Sequence, residues 1–543
     1  MAKRQKKISS KQNMRIRNSG YSEGGASHTS NILKAWNPLK FSSKTDIDHN
    51  LSTLRNRASD EAINTPIGAA AIGTNALHSV GTGLTVFPRI KYNLLGMTAE
   101  QARNWSRKTR QEFELWANSK HCDIYKRNNF YDLQYIAFVA YMTDGDAFAL
   151  FRRNMPDNNM PYSLRLQLLE SNRVSNPTNN GMFMPLGPTS VEMIDPKTGH
   201  KIVSGVELDT NGAIEAYWVS NKVPYDPTDI SGVTEWVRVK AFGAITGMPN
   251  ILQVVHDVRA DQYRGVPYLA PVIETLKQLS RYTTAELASA IVKTFFSLFF
   301  TQSQTNGDVS DILGQAGGSY ADDPLAPVVD VGEYALGAGT LNALPKGVDV
   351  KAVDASNAQS TFKPFLEELI KQVGAALNIP SEVLMKSFQS SYSASRAALL
   401  QAWDEFKSRR NWFARDFCQP VYEVWLAEAV ATGRIECPGF FDDPLIRSAW
   451  CNAEWFGPTM SILDPVKDVT GSHLRVQYGL STREREAAEM TGSDFEENAD
   501  QLAYEQKKLR ELGISEESTS PIIVPEDSDD DEDKSGGGGE NDE

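Results

Sequence analysis

The sequence predicts an α+β fold, and three observations carry the prediction. Alternating apolar and polar residues read as strands at 164–169 and around a hairpin turn, Asp209-Thr210-Asn211-Gly212. Helical periodicity recurs before and between them, and beyond residue 270 long amphipathic helices take over.

In chain order, 99–118 carries Trp105, Phe113 and Trp116 among charges, as an amphipathic helix does, and 131–141 reads as a second, more buried helix. The strand at 164–169 follows. A hairpin is expected from 203–208 and 213–219, and another short strand from 251–258. Helix 272–296 places Val272, Leu276, Leu279, Leu287, Ile291 and Phe295 at helical spacings, with Pro271 at its start. Residues 297–300 are strand-like. The Gly/Pro-rich stretch 301–354 has short apolar runs at 327–331 and 348–353, and reads as a small β-containing insertion between helices. Helix 362–377 sets Phe362, Phe365, Leu366, Leu369, Val373 and Leu377 on one face. A polar stretch over 380–393 then leads into a long helix, 394–432, closed by Gly433. Leu399, Trp403, Phe406, Phe413, Phe417, Val421 and Val424 form its stripe, interrupted by Arg410. A kink is expected at Pro420, which lacks a hydrogen-bond donor and crowds the preceding turn. From 464 to about 512 the chain is helical and charged, and no internal repeat is found.

A chain of 543 residues with 41% hydrophobic and 23% charged residues can bury several cores, which excludes a disordered, fibrous or disulfide-scaffold protein. Cys122, Cys418, Cys437 and Cys451 make no CxxC pair and no Cys/His cluster at zinc spacing, so neither a structural metal nor a disulfide framework is expected, and a reducing cytoplasm fits. The uncharged stretch 62–88 is rich in Gly, Thr and Asn rather than Leu, Ile and Phe, so no membrane span is expected. No apolar run follows the basic N-terminus, and no secretory signal is expected either.

Charge is distributed unevenly. Residues 1–44 hold ten Lys/Arg against Glu23, a net +9, and 516–543 hold twelve acids against Lys534, a net −11. Of the total of −14, the body keeps −12. Both ends have the composition of segments that cannot bury enough surface to order themselves. Lys3, Arg4, Lys6, Lys7, Lys11, Arg15 and Arg17 form a basic arm suited to gripping nucleic acid or an acidic protein face, or simply a solvated tail.

Catalytic signatures are missing. Gly81-Thr82-Gly83 and Gly314-Gln315-Ala316-Gly317-Gly318-Ser319 lack the Lys that a phosphate-cradling loop places on its nucleotide, so ATPase activity is not expected. Asp144-Gly145-Asp146 opens like a calcium loop but lacks the remaining ligands, and a turn after a buried helix is the better reading. None of the seven His sits in HExxH or beside a GxSxG nucleophile. Asp442-Asp443 before Pro444 reads as a loop rather than a nuclease carboxylate pair. No cofactor, metal or catalytic residue is assigned.

A set of ordered strings resembles the portal proteins of tailed bacteriophages, of the lambda type. They are Arg55-Asn56-Arg57-Ala58-Ser59-Asp60, Asn64-Thr65-Pro66-Ile67-Gly68, Val80-Gly81-Thr82-Gly83-Leu84, Asp144-Gly145-Asp146-Ala147-Phe148 and Gly205-Val206-Glu207-Leu208-Asp209. His256 then leads into Arg259-Ala260-Asp261-Gln262-Tyr263-Arg264-Gly265-Val266-Pro267. Tyr392-Ser393-Ala394-Ser395-Arg396-Ala397-Ala398, Phe417-Cys418-Gln419-Pro420-Val421-Tyr422 and Leu463-Asp464-Pro465-Val466-Lys467 complete them.

The resemblance implies a homo-oligomeric ring of about twelve subunits at one capsid vertex. Double-stranded DNA would be pumped through its channel by the terminase large subunit and later released, with the major capsid protein and head-tail adaptor proteins as further partners and no membrane. The virion, and the host cytoplasm during assembly, are the implied locations. Mapped onto this chain, the implied parts are a flexible arm (1–45), wing (46–270), first stem helix (271–296), clip (297–360), second stem helix (361–379) and tunnel loop (380–393). The long kinked helix with the rest of the wing (394–463), a helical crown (464–514) and an acidic tail (515–543) follow. In the loop, Lys386, Ser387, Gln389, Ser390 and Ser391 are the implied channel residues. The alternatives are another structural virion protein, such as a capsid or adaptor subunit, and a DNA-processing enzyme.

Overall fold

The computed structural model describes residues 31–512 except 34, 37, 178–191, 196, 225, 227, 230–231, 296–297, 303–347, 353–358, 389–390 and 461–464. The chain divides into two compact units, 1–455 and 456–543.

The first unit opens with α1 (Ser43–Asp48), α2 (Leu51–Asn64) and α3 (Pro66–Ser79). The arm expected over 1–45 is therefore shorter, because Ser42 caps α1 and Ser43 is buried, its hydroxyl donating to the Asp261 carbonyl at 2.7 Å. Thr65 starts α3 in extended backbone, its hydroxyl accepting from Gly68 N at 3.3 Å, with Pro66 in the first turn where no donor is needed. Ala58, Ala71 and Ala76 are fully buried, so small side chains let α2 and α3 pack closely. The uncharged stretch is thus a core helix followed by β1 (Thr85–Pro88). Among the described residues no helix is long and apolar enough to cross a membrane.

Next come α4 (Ala99–Ala117) and α5 (Phe130–Asp144), each started by a capping box, Thr98/Gln101 and Asn129/Asp132. Gly145 ends α5 at φ 90° and hands the chain to β2 (Asp146–Arg153) and then β3 (Leu164–Leu169). A five-stranded antiparallel sheet follows, β4 (Glu192–Ile194), β5 (Lys201–Val203), β6 (Val206–Leu208), β7 (Ile214–Ser220) and β8 (Trp236–Lys240), in sequential order. β9 (Ile251–Val255) returns to β2 to complete the order β3-β2-β9. β2 is apolar on both faces for a reason. Ala147 and Ala149 join the helical core, while Phe148 and Leu150 join a second core with Val203, Val206, Tyr217 and Val219 of the larger sheet.

Two strand expectations are corrected. The single strand at 203–208 is two strands, split by Ser204-Gly205 at φ 48° and 87°, the left-handed pair that a tight hairpin turn requires. The strand at 251–258 stops at Val255.

Helix α6 (Ile273–Phe295) leads to β10 (Leu298–Gln302), which pairs antiparallel with β11 (Val348–Ala352) before α7 (Gln359–Ala376) returns. Tyr282 of α6 packs on Phe362 and Phe365 of α7, at centroid distances of 5.5 and 5.1 Å. A short helix, α8 (Ser381–Met385), precedes α9 (Tyr392–Phe413), a π-helical segment (Ala414–Cys418) and α10 (Gln419–Ala431). Pro420 sits in the first turn of α10, directly after the π segment, so the long helix accommodates its missing donor by widening locally. The buried rings of Phe413, Phe417, Tyr422 and Trp425 meet Phe113, Phe130 and Phe138 in one aromatic cluster, Phe113 edge-on to Trp425 at 5.0 Å. Gly433, at φ 72°, follows α10 as expected. Asp442-Asp443 lie in a loop, as read from the sequence, and the Asp443 carboxylate accepts from Leu445 N at 2.8 Å to cap α11 (Pro444–Cys451). β12 (Ala453–Phe456) pairs with β1.

The second unit contains α12 (Pro465–Gln477), α13 (Arg483–Thr491) and α14 (Phe495–Glu511). Arg475 of α12 grips the buried Glu486 of α13 through Nε at 2.9 Å and Nη2 at 2.6 Å.

Candidate functional site

The segment between α7 and α9 holds the expected channel residues, and its geometry is set by how α7 ends. Asn378 takes φ 55°, and Ile379 N donates back to the Gly374 carbonyl at 2.9 Å, the reversed-turn cap of a helix C-terminus. A Cβ at Gly374 would lie 2.5 Å from the Ile379 carbonyl, so only glycine allows this closure. The stretch expected as a polar loop then forms α8, whose Val383 and Leu384 are buried against α3, α7 and α9. Apolar side chains on adjacent positions seat this turn, which is what the polar reading overlooked. Lys386 closes it at φ 53° and is exposed; Ser387 is half-buried and donates through its N–H to the Glu382 carbonyl at 3.0 Å. Ser391 is exposed at the start of α9, and Gln389 and Ser390 lie outside the described residues. The arm residues Lys3, Arg4, Lys6, Lys7, Lys11, Arg15 and Arg17 lie outside them too.

Behind the segment stands a polar buttress that sequence reasoning missed. Tyr268 donates its hydroxyl to the Leu377 carbonyl. Asn75 donates to Tyr268 Oη at 3.4 Å and accepts from Arg409 Nη1 at 2.7 Å. Arg409 clasps Glu405 Oε1 at 2.9 and 2.8 Å, and its guanidinium lies 4.5 Å from the centroid of the Tyr268 ring. The adjacent Arg410 donates to the carbonyls of Ser79 at 2.9 Å and His78 at 2.7 Å. It thereby satisfies the open C-terminus of α3, and burial lowers its pKa to about 10, leaving it charged at neutral pH. What interrupts the stripe of the long helix is thus a buried cap. Two consecutive arginines in an apolar helix were the signal available. His78 stacks on Phe406 at 5.1 Å, and burial, then the charges of Lys386 and Arg410, push its pKa down.

A second constellation joins three of the strings that carried the resemblance. Asp146, fully buried, accepts from Arg55 Nη2 at 2.6 Å, Arg264 Nε at 2.7 Å and Gly265 N at 3.1 Å. Arg264 also donates to the carbonyls of Val174, Ser204 and Ser171, and Arg55 to that of Asp144. Burial alone would raise the Asp146 pKa, but the two guanidiniums outweigh it and hold the carboxyl below its ordinary value. With both oxygens committed, this is a structural clamp rather than a calcium ligand. Gly145 and Gly265 press so close that a Cβ on Gly265 would fall 1.8 Å from the Gly145 carbonyl. The Gly81-Thr82-Gly83 turn is likewise structural, with a Cβ at Gly83 meeting Tyr131 at 2.5 Å. Gly314–Ser319 falls outside the described residues.

Residues 29–410 match the family "Phage portal protein, lambda family". The chain belongs to that family and is a phage portal protein. Portal protein B of Escherichia phage lambda is 24% identical over 511 residues, covering 91% of each chain. The portal protein of Escherichia phage N15 is 25% identical over 529 residues, again 91% of each. A probable portal protein of Halomonas phage phiHAP-1 is 22% identical, covering 86% of this chain and 83% of that protein. A solved chain from the virion of the native gene transfer agent particle is 12% identical with a TM-score of 0.42, covering 81% of this chain and 92% of that one. One from the neck of that particle has 12% identity, a TM-score of 0.41, and coverages of 80% and 92%.

Proposed function

We propose that copies of this chain close into a ring of about twelve at one capsid vertex, and that double-stranded DNA passes through the central channel during packaging and ejection. The observation that carries the ring is on α6. Leu276 and Leu279 of its stripe are buried, but Leu287, farther along, is 62% exposed, as is half of Phe365 on α7. An apolar stripe that its own hairpin leaves open is one a neighbouring subunit covers. In this reading the 46–270 region is the wing, α6 and α7 the stem, the β10–β11 region the base of the clip, the 380–393 segment the tunnel loop, and the second unit the crown. The net −12 body suits a conduit, because each added phosphate contact tightens DNA binding and a sliding duplex needs few. The terminase large subunit, major capsid protein and head-tail adaptors are the partners, the host cytoplasm and virion the locations, and the chain itself performs no catalysis.

Electron microscopy of the purified full-length protein tests this, with a closed ring around an axial hole as the expected image. Native mass spectra showing monomers alone at micromolar concentration and moderate salt overturn it.

A further inference from the structure

We propose that the open edge of β3, with the apolar pocket beside it, is a docking site for this chain's own acidic tail, which adds Ile522-Ile523-Val524 there as a short extra strand. Ring assembly does not require this contact.

β3 is an edge strand of the β3-β2-β9 sheet, so alternate residues turn their backbone groups away from β2. Leu164 N donates to Glu428 Oε2 at 3.1 Å, and the Leu166 carbonyl accepts from Ile124 N at 2.9 Å. Leu168 is next in that alternation, and on this edge its N–H and C=O have no partner among the described residues. An extended peptide laid along the edge takes up both groups. Beside them a pocket of about 280 Å³ is lined by Tyr125 and Arg127, by Leu133 and Ile136 of α5, and by Leu168. Its wall is almost wholly apolar, yet Ile136 is 42% and Tyr125 56% exposed.

Charge and side-chain chemistry select the tail as the occupant. Lys126, Arg127 and Arg152 are exposed and form no ion pair among the described residues. Arg152 is held at the site by donating to Gln167 Oε1 at 3.0 Å, while Gln167 donates to Tyr125 Oη at 2.7 Å. The two carboxylates at the site are committed to backbone, Asp123 accepting from the N–H groups of Tyr125, Arg127 and Asn128, and Asp132 from that of Asn129. Such a site suits an extended apolar segment flanked by acids. In the tail, three β-branched residues, Ile522, Ile523 and Val524, stand between Pro521 and Pro525, with Glu516 and Glu517 before them and Glu526, Asp527 and Asp529 after. The prolines, lacking a donor, confine the added strand to the length that one open backbone pair serves. Set opposite Leu168, Ile523 shares its face and enters the pocket. The apolar stretch before α1 suits the site less, since its Lys34 and Lys40 meet like charge.

The test uses the full-length protein. With Ile523 replaced by the photoreactive p-benzoylphenylalanine, irradiation is expected to give adducts within 123–136 or 166–170. The Leu168 amide should exchange hydrogen about tenfold faster in Ile523→Asp, and faster too in R127E/R152E, than in the unaltered chain. A synthetic peptide of residues 515–531, added to the Ile523→Asp protein, should restore slow exchange at low salt and do so less well in about 1 M salt, where the charge pairing is screened. Adducts confined to the basic arm show pairing by charge alone and overturn the site. Leu168 exchange that ignores the variants and the peptide overturns it as well, whether or not rings form.

Discussion

Asp146 shows how much one buried carboxylate can hold together, since α2, β2 and the 264–265 segment all end on it. Removing Arg264 leaves the buried Asp146 with Arg55 as its one guanidinium partner and takes the donor from the Val174, Ser204 and Ser171 carbonyls, so Arg264→Met is expected to lower unfolding stability by about 3–5 kcal/mol, measured by denaturant titration. The sign of the pH effect follows from the depressed pKa: the stabilisation is present above the unfolded carboxyl value of about 3.9 and is lost as pH falls through the lower folded value. Glu486 behaves alike in the second unit. Hydrogen bonds from Arg475 hold its pKa at about 2 against burial, so this contribution fades between the ordinary glutamate value and pH 2. Glu486→Gln should flatten the acid limb of the pH–stability curve of α12–α14, followed by helical circular dichroism of the full chain.

At the scale of elements, the segment from α7 to α9 is a seated helical turn carrying one exposed cation. Lys386 is exposed, and α8 holds its place through the buried Val383 and Leu384. Lys386→Glu is therefore expected to leave ring assembly intact and to impair DNA packaging or retention, because it inverts the charge that each subunit presents there. DNA-filled particles in normal yield from this variant remove Lys386 from the mechanism, and failure to form rings makes the residue structural.

For the whole molecule, the two charged ends make opposite predictions. The basic arm must be cut at residue 30 rather than 44, because Arg259 holds the Phe41 carbonyl at 2.8 Å and Asp46 at 2.6 Å. Deleting 1–30 removes seven cations and should reduce the log–log salt slope of DNA binding by up to about 6, with ring assembly unchanged. Equal slopes for the two proteins make the arm a solvated tail. At the other end, seven acids between Glu526 and Asp533 repel their copies around any ring axis, so truncation after Ile514 should leave assembly as it was, checked by native mass spectrometry.

Periodicity alone determined the α+β class, the helix at Ala99–Ala117, the strand Leu164–Leu169, the helices α6 and α7 and the long helical stretch followed by Gly433, because each is a repeat of apolar residues readable within a short window. Tertiary structure decided what local pattern cannot encode. The split of β5 from β6 depends on two left-handed residues inside an apolar run, and the seating of α8 on the helices it meets rather than on its own polar composition. The Arg55–Asp146–Arg264 clamp and the Tyr268–Asn75–Arg409 buttress each join residues remote in sequence. A charge or amide in the sequence looks solvated until the fold removes water from around it, and only the partners that arrive with burial determine what it does.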